Sequence, residues 1–99
     1  MEEDKKTLNY EIVIPSPVLY KIQLDYKAEI PEQFYEEILT ASFNFSSNFI
    51  CDSIRTLKEK KSITCGIFSK DVAETKVYLI NDFAIENNYP NVCQFIEIL

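Results

Sequence analysis

From Pro31 to Lys61 the chain runs thirty-one residues with no glycine and with no proline after the first. It opens on acids, Glu32, Glu36 and Glu37, and closes on bases, Arg55, Lys58, Lys60 and Lys61. That order complements the dipole of one helix, or of two joined end to end. Pro31 suits the first helical turn, where its missing N–H is not needed. Phe34, Ile38, Ala41 and Phe45 fall on one helical face, and Ile50, Ile54 and Leu57 on another. A straight helix of this length would reach about 46 Å at a rise of about 1.5 Å per residue, whereas a compact domain of this size is only about 33 Å across. The tract therefore predicts two helices, or one bent helix, with the irregularity at residues 43–48. Ser and Asn there divert hydrogen bonds to caps and turns.

Hairpin-like patterns lie on both sides. Leu8, Tyr10, Ile12 and Ile14 alternate with polar residues, and so do Val18, Tyr20, Ile22, Leu24 and Tyr26. Period two over both runs reads as two half-buried strands. With Pro15-Ser16-Pro17 as the loop, Ile14 pairs with Val18, Ile12 with Tyr20, Tyr10 with Ile22 and Leu8 with Leu24, all on one face. After Lys61, Ile63, Cys65 and Ile67 alternate, and later Val77 and Leu79 do the same. These predict a second hairpin closing near Asp71-Val72-Ala73, with Gly66 opposite Tyr78; a looser loop over residues 69–75 is the alternative. Asp82 could cap a short turn at Phe83–Glu86. Val92, Phe95, Ile96 and Leu99 have helical spacing, while Cys93 to Ile98 also reads as a strand.

The expected fold is α+β in the order β-β-α(α)-β-β-α. It has a four-stranded, mainly antiparallel sheet built from two hairpins, with helices on one face. The 99 residues suit one domain, with residues 1–7 as a flexible amino end. No apolar run approaches the roughly 20 residues that span a bilayer, and the amino end lacks a signal-peptide core. An intracellular protein is expected.

The charge, −6 overall, is unevenly placed. Residues 1–54 hold four bases and ten acids, residues 55–76 hold six bases and three acids, and residues 77–99 hold three acids and no base. A polyphosphate would be repelled by most of such a surface. Arg55, Lys58, Lys60, Lys61, Lys70 and Lys76 form the one candidate nucleic-acid patch. The same cations equally suit a solvated helix end.

There is no histidine and a single glycine, Gly66. These absences remove His-based nucleophile arrangements, histidine metal ligands and Gly-rich phosphate loops. Cys51, Cys65 and Cys93 are odd in number, widely spaced and without a CxxC pair. They read as reduced thiols rather than zinc ligands, with one disulfide plus one free thiol as the alternative. Glu36 and Glu37 diverge by about 100° on a helix and cannot share a substrate unaided. No catalytic, cofactor-binding or metal-binding residue is assigned, and the chain is read as a non-enzyme.

Six tyrosines and seven phenylalanines are many for this length. Tyr35 and Tyr89 are the candidate interface residues, together with a free sheet edge that could pair with a second copy in a homodimer. From Met1-Glu2-Glu3-Asp4-Lys5-Lys6 to Phe95-Ile96-Glu97-Ile98-Leu99, the chain resembles the short orphan proteins of archaeal filamentous viruses, lipothrixvirus and rudivirus types. That resemblance implies a heat- and acid-resistant viral protein of unassigned role, working in the host cytoplasm. The reading of function is a small binding or regulatory protein acting by protein–protein contact. The alternative is a nucleic-acid-directed protein using residues 55–76.

Overall fold

The computed structural model describes residues 18–98. Its elements run β1 (Leu19–Asp25), α1 (Glu32–Phe43), α2 (Ser47–Lys60), β2 (Ser62–Ser69), α3 (Lys70–Glu86) and β3 (Cys93–Glu97). The long tract divides into two helices where the polar residues cluster. Asn44 takes a left-handed conformation (φ 56°), and Ser46 Oγ accepts from Phe49 N–H at 3.3 Å to start α2. Helix α2 ends at Lys61, also left-handed, whose N–H donates to Leu57 O at 2.9 Å.

Among the described residues the sheet has three strands, where four were expected. Its order is β2-β1-β3 and both pairings are antiparallel. Strand β1 is central and has a neighbour along each edge. The predicted first strand, residues 8–14, lies outside the described residues. The second predicted hairpin is replaced by helix α3. Ala73, Val77, Ile80 and Ala84 are its buried positions, spaced i, i+4, i+7, i+11, and the expected turn at Phe83–Glu86 is its last turn. The alternation of Val77 and Leu79 misleads because Tyr78 and Leu79 both lie on the solvent side, at 68% and 57% exposure. At the carboxyl end the strand reading holds and the helix reading does not.

Tyr20, Ile22 and Leu24 point to the helical side of the sheet, with Ile22 and Leu24 fully buried. Across β3 the same face continues through Cys93, opposite Leu24, and Phe95, opposite Ile22. Tyr20 and Phe95 meet edge to face, with ring centroids 5.5 Å apart. Strand β2 needs an irregularity to match. Its register runs from Ile22↔Gly66 to Gln23↔Thr64, leaving Cys65 as an extra residue. That one-residue shift brings Ile63, opposite Leu24, and Phe68, opposite Tyr20, onto the same face. Strict alternation would have set them on opposite faces. Gly66 makes room for Phe68 rather than Tyr78: a Cβ at 66 would lie 2.8 Å from two ring carbons of Phe68.

Cys65 and Cys93 sit on the two strands flanking β1. Two strand spacings are roughly 9–10 Å, beyond the roughly 7 Å limit for a disulfide. All three cysteines are free, and Cys51 is exposed. Burial pushes the Cys65 thiol up to about 12, with neighbouring Cys93 adding to it. Burial, then Asp25, does the same to Cys93, also to about 12.

One side chain ties α3 to β3. Asn81 Oδ1 accepts from Val92 N–H at 2.9 Å and Cys93 N–H at 3.0 Å, and its Nδ2 donates to Cys93 O at 2.9 Å. Val92 and Cys93 are buried, so these groups have no access to water in compensation. Asn81→Ala is expected to lower unfolding stability by about 2–4 kcal/mol in urea denaturation, since it strands two donors and an acceptor. Asn81→Asp keeps the acceptor but sets an oxygen against Cys93 O, and should not restore the wild-type midpoint.

The buried thiols set a second expectation. Their protonated forms are held by the native state while the unfolded chain deprotonates from about pH 9. Unfolding stability therefore falls as pH rises through the window from about 9 to about 12. Urea midpoints should drop across that window, and the drop should shrink in a Cys65→Ala, Cys93→Ala double variant.

Candidate functional site

The six cations of the expected nucleic-acid patch lie on two helices, α2 with its cap residue Lys61 and α3, and are largely engaged. Arg55 Nη2 lies 3.0 Å from Asp52 Oδ1 one turn back on α2. Lys58 pairs with Glu32 at the start of α1, and that carboxylate holds its ammonium above the usual lysine range. Lys61 lies over the Tyr26 ring, 5.2 Å from its centroid. Lys76 on α3 reaches back to α1: Nζ donates to Ser42 O at 2.8 Å, and Phe43 and Phe68 flank it at 5.6 and 5.5 Å. It thereby caps a carbonyl in the last turn of α1, where a cation is favoured. Lys60 lines a small cleft beside Phe45 and Phe49. Lys70 opens α3 at the far end of β2.

The two tyrosines also differ in placement. Tyr35 is 1% exposed. Its hydroxyl donates to Asp25 O and accepts from Lys27 N–H, both at 2.8 Å, and burial raises its pKa to about 12. It thus pins the segment after β1 against α1. Tyr89 is half-buried, edge-on to Phe34 at 4.9 Å.

Two further concave places are found among the described residues. The larger, about 770 Å³, is an open groove between α1 and α3. The smaller, about 370 Å³, lies where the first turn of α1 meets α2. Its wall is Ile54, and Glu32, Glu59, Arg55 and Lys58 surround it with both signs of charge. An apolar wall beside a carboxylate and a cation can hold a small zwitterionic or ammonium-bearing ligand. Here the Glu32–Lys58 pair already joins α1 to α2 across that cleft. The pairing of Glu32 with Lys58 spans 26 residues and was invisible to local spacing. Among the described residues, no group of three or more Cys, Asp or Glu side chains is placed to hold a metal ion. No described helix is long and apolar enough to cross a membrane.

Comparison with known proteins identifies relatives for this arrangement. The chain is 34% identical over 80 residues to the ATP-dependent Clp protease adapter protein ClpS of Edwardsiella ictaluri, spanning 81% of this chain and 76% of the relative. It is 29% identical over 101 residues to the same adapter of Cronobacter sakazakii, spanning 94% and 95% of the two chains. Among solved structures, Agrobacterium tumefaciens ClpS2 bound to L-phenylalaninamide superposes with a TM-score of 0.78 at 25% identity, covering 84% of this chain and all of that one. No family model matches.

These bacterial relatives overturn the resemblance to orphan proteins of archaeal filamentous viruses, and with it the expectation of a viral protein. The likeness rested on overall size and composition, which unrelated small proteins share. Neither a sheet-edge homodimer nor a nucleic-acid partner finds support in the relatives. The broader reading, a protein that works by contact with other proteins, holds, since adapters work by binding.

Tyr35→Phe tests how far the cleft region depends on its neighbouring core. It leaves Asp25 O and Lys27 N–H unpartnered and should cost about 1–3 kcal/mol in thermal or urea unfolding.

Proposed function

This chain belongs to the ClpS family of ATP-dependent Clp protease adapter proteins, and on that footing we propose that it carries protein substrates to such a protease. It does so by binding, without chemistry of its own. The observation that carries this reading is the match in fold over 84% of this chain and the whole of a ClpS2 chain, together with identity above 30% to ClpS adapters.

The ligand of the ClpS2 structure, L-phenylalaninamide, resembles the first residue of a peptide. It offers an aromatic side chain, a free α-ammonium and an amide in place of the next peptide bond. In this chain the cleft at Glu32, Ile54 and Lys58 offers a carboxylate beside an apolar wall on the scale of a single residue. Glu32, however, already holds an alkylammonium, that of Lys58. A peptide amino terminus must compete with Lys58 for the same carboxylate, so unmodified protein binds such ligands weakly.

Purified protein mixed with the Clp ATPase and peptidase of its own organism should form a complex at micromolar concentration and change the degradation rate of a subset of substrates. Absence of both a complex and a rate change would sink the adapter reading. For the cleft, Lys58→Met should tighten L-phenylalaninamide binding several-fold in calorimetric titration, while Glu32→Gln should abolish the gain. An unchanged affinity in Lys58→Met would place any such binding elsewhere.

A further inference from the structure

The groove between α1 and α3 is wider than a single residue needs and has a consistent character. Its floor is Ile38 and Ile80, both almost fully buried, and its α3 wall is Leu79 and Phe83, exposed at 57% and 37%. Phe83 stacks on Phe34, ring centroids 4.8 Å apart and 17° between planes, so the apolar wall is rigid. Gln33, Glu36, Glu37 and Thr40 form the α1 wall, one helical stripe facing the apolar one. Among the described residues none of those lining the groove is Lys or Arg, and Lys76 Nζ meets it only at the Ser42 end, 2.8 Å from Ser42 O. On α3, Asp82 and Glu86 lie one residue before and three after Phe83, adding acid to the same helix. From Gln33 to Ser42 the wall is about 14 Å long at about 1.5 Å per residue. That is two to three turns of a helix.

An apolar strip bordered along one side by carboxylates selects for its complement: a short amphipathic helix with aliphatic residues on one face and Lys or Arg beside them. A second copy of this chain is a poor fit, because each copy carries a net charge of −6. We propose that this groove binds a basic amphipathic helical segment of a partner protein, its aliphatic residues against Leu79 and Phe83 and its cations against Glu36 and Glu37. This inference rests on the groove alone and stands or falls separately from the Glu32–Lys58 cleft and from the protease.

The probe is a fluorescein-labelled peptide of about 12 residues with leucines spaced i, i+4, i+7 and lysines and glutamines elsewhere. A scrambled peptide of the same composition is the control. Anisotropy titration of the whole protein should show the patterned peptide bound at least about tenfold more tightly than the scrambled one. Leu79→Asp is the deciding variant, since Leu79 is exposed and the change makes the groove more acidic. Docking on the apolar strip predicts loss of at least about tenfold in affinity; unspecific attraction of a cationic peptide predicts equal or tighter binding and would overturn the proposal. Glu36→Lys with Glu37→Lys, at two exposed positions, should weaken the patterned peptide in the same way and remove or reverse the loss of affinity with rising salt. Equal binding of patterned and scrambled peptides, or salt-sensitive binding unchanged by the charge reversal, would also overturn it. Circular dichroism melts establish that each variant is folded before its titration is read.

Discussion

Strand β1 is hydrogen-bonded along both edges, and most of the molecule is arranged by that fact. The strand's seven residues, Leu19 to Asp25, all pair with β2 on one side, and five of them, Tyr20 to Leu24, pair with β3 on the other. Both partners arrive from far along the chain, after two helices in one case and three in the other. Because β1 is central, its inward residues Ile22 and Leu24 have neighbours on every side and are fully buried. The three helices then cover one face of a narrow sheet. A bulge at Cys65 and the side chain of Asn81 bring the two outer strands into register with that face. Each is a local irregularity that serves a long-range pairing.

The charged residues follow a similar logic. Four of the six cations in the basic stretch are matched, Arg55 by a carboxylate on its own helix and Lys58, Lys61 and Lys76 by a carboxylate, a ring and a helix carbonyl from elsewhere in the fold. Lys76, which in sequence belongs with that stretch, closes the end of α1 instead. The carboxylates Glu36 and Glu37 sit beside exposed apolar side chains of α3. The surface consequently pairs acid with apolar area, a combination suited to protein partners and ill suited to polyphosphates.

The helical tract and its interruption at residues 43–48 were legible because their signals are local. Charge order, Ser and Asn clustering and chain length all act within a few turns. The strands were legible as strands at Leu19–Asp25 and Ser62–Ser69, but not their partners. Helix α3 was misread because Tyr78, Leu79 and Ile85 are apolar and exposed, which blurs the helical stripe of Ala73, Val77, Ile80 and Ala84. Such exposure signals a face free to meet something else, and only the packed structure distinguishes it from core. The cleft was hidden for a related reason: Glu32 and Lys58 were both noticed, one as a helix start and one as a helix end. Their meeting depends on how α1 folds back on α2.

The sequence by itself determined the α+β composition, the position of the helix break, the acidic balance and the absence of histidine and glycine-loop chemistry. Those properties depend on residue type and short-range spacing, which any fold would retain. Tertiary structure alone decided that three strands form the sheet among the described residues, that β1 lies at its centre, and that Cys93–Glu97 extends as a strand. Short apolar runs favour helix and strand almost equally, and the balance is tipped by the hydrogen bonds a neighbour offers. Here those come from the second edge of β1 and from Asn81.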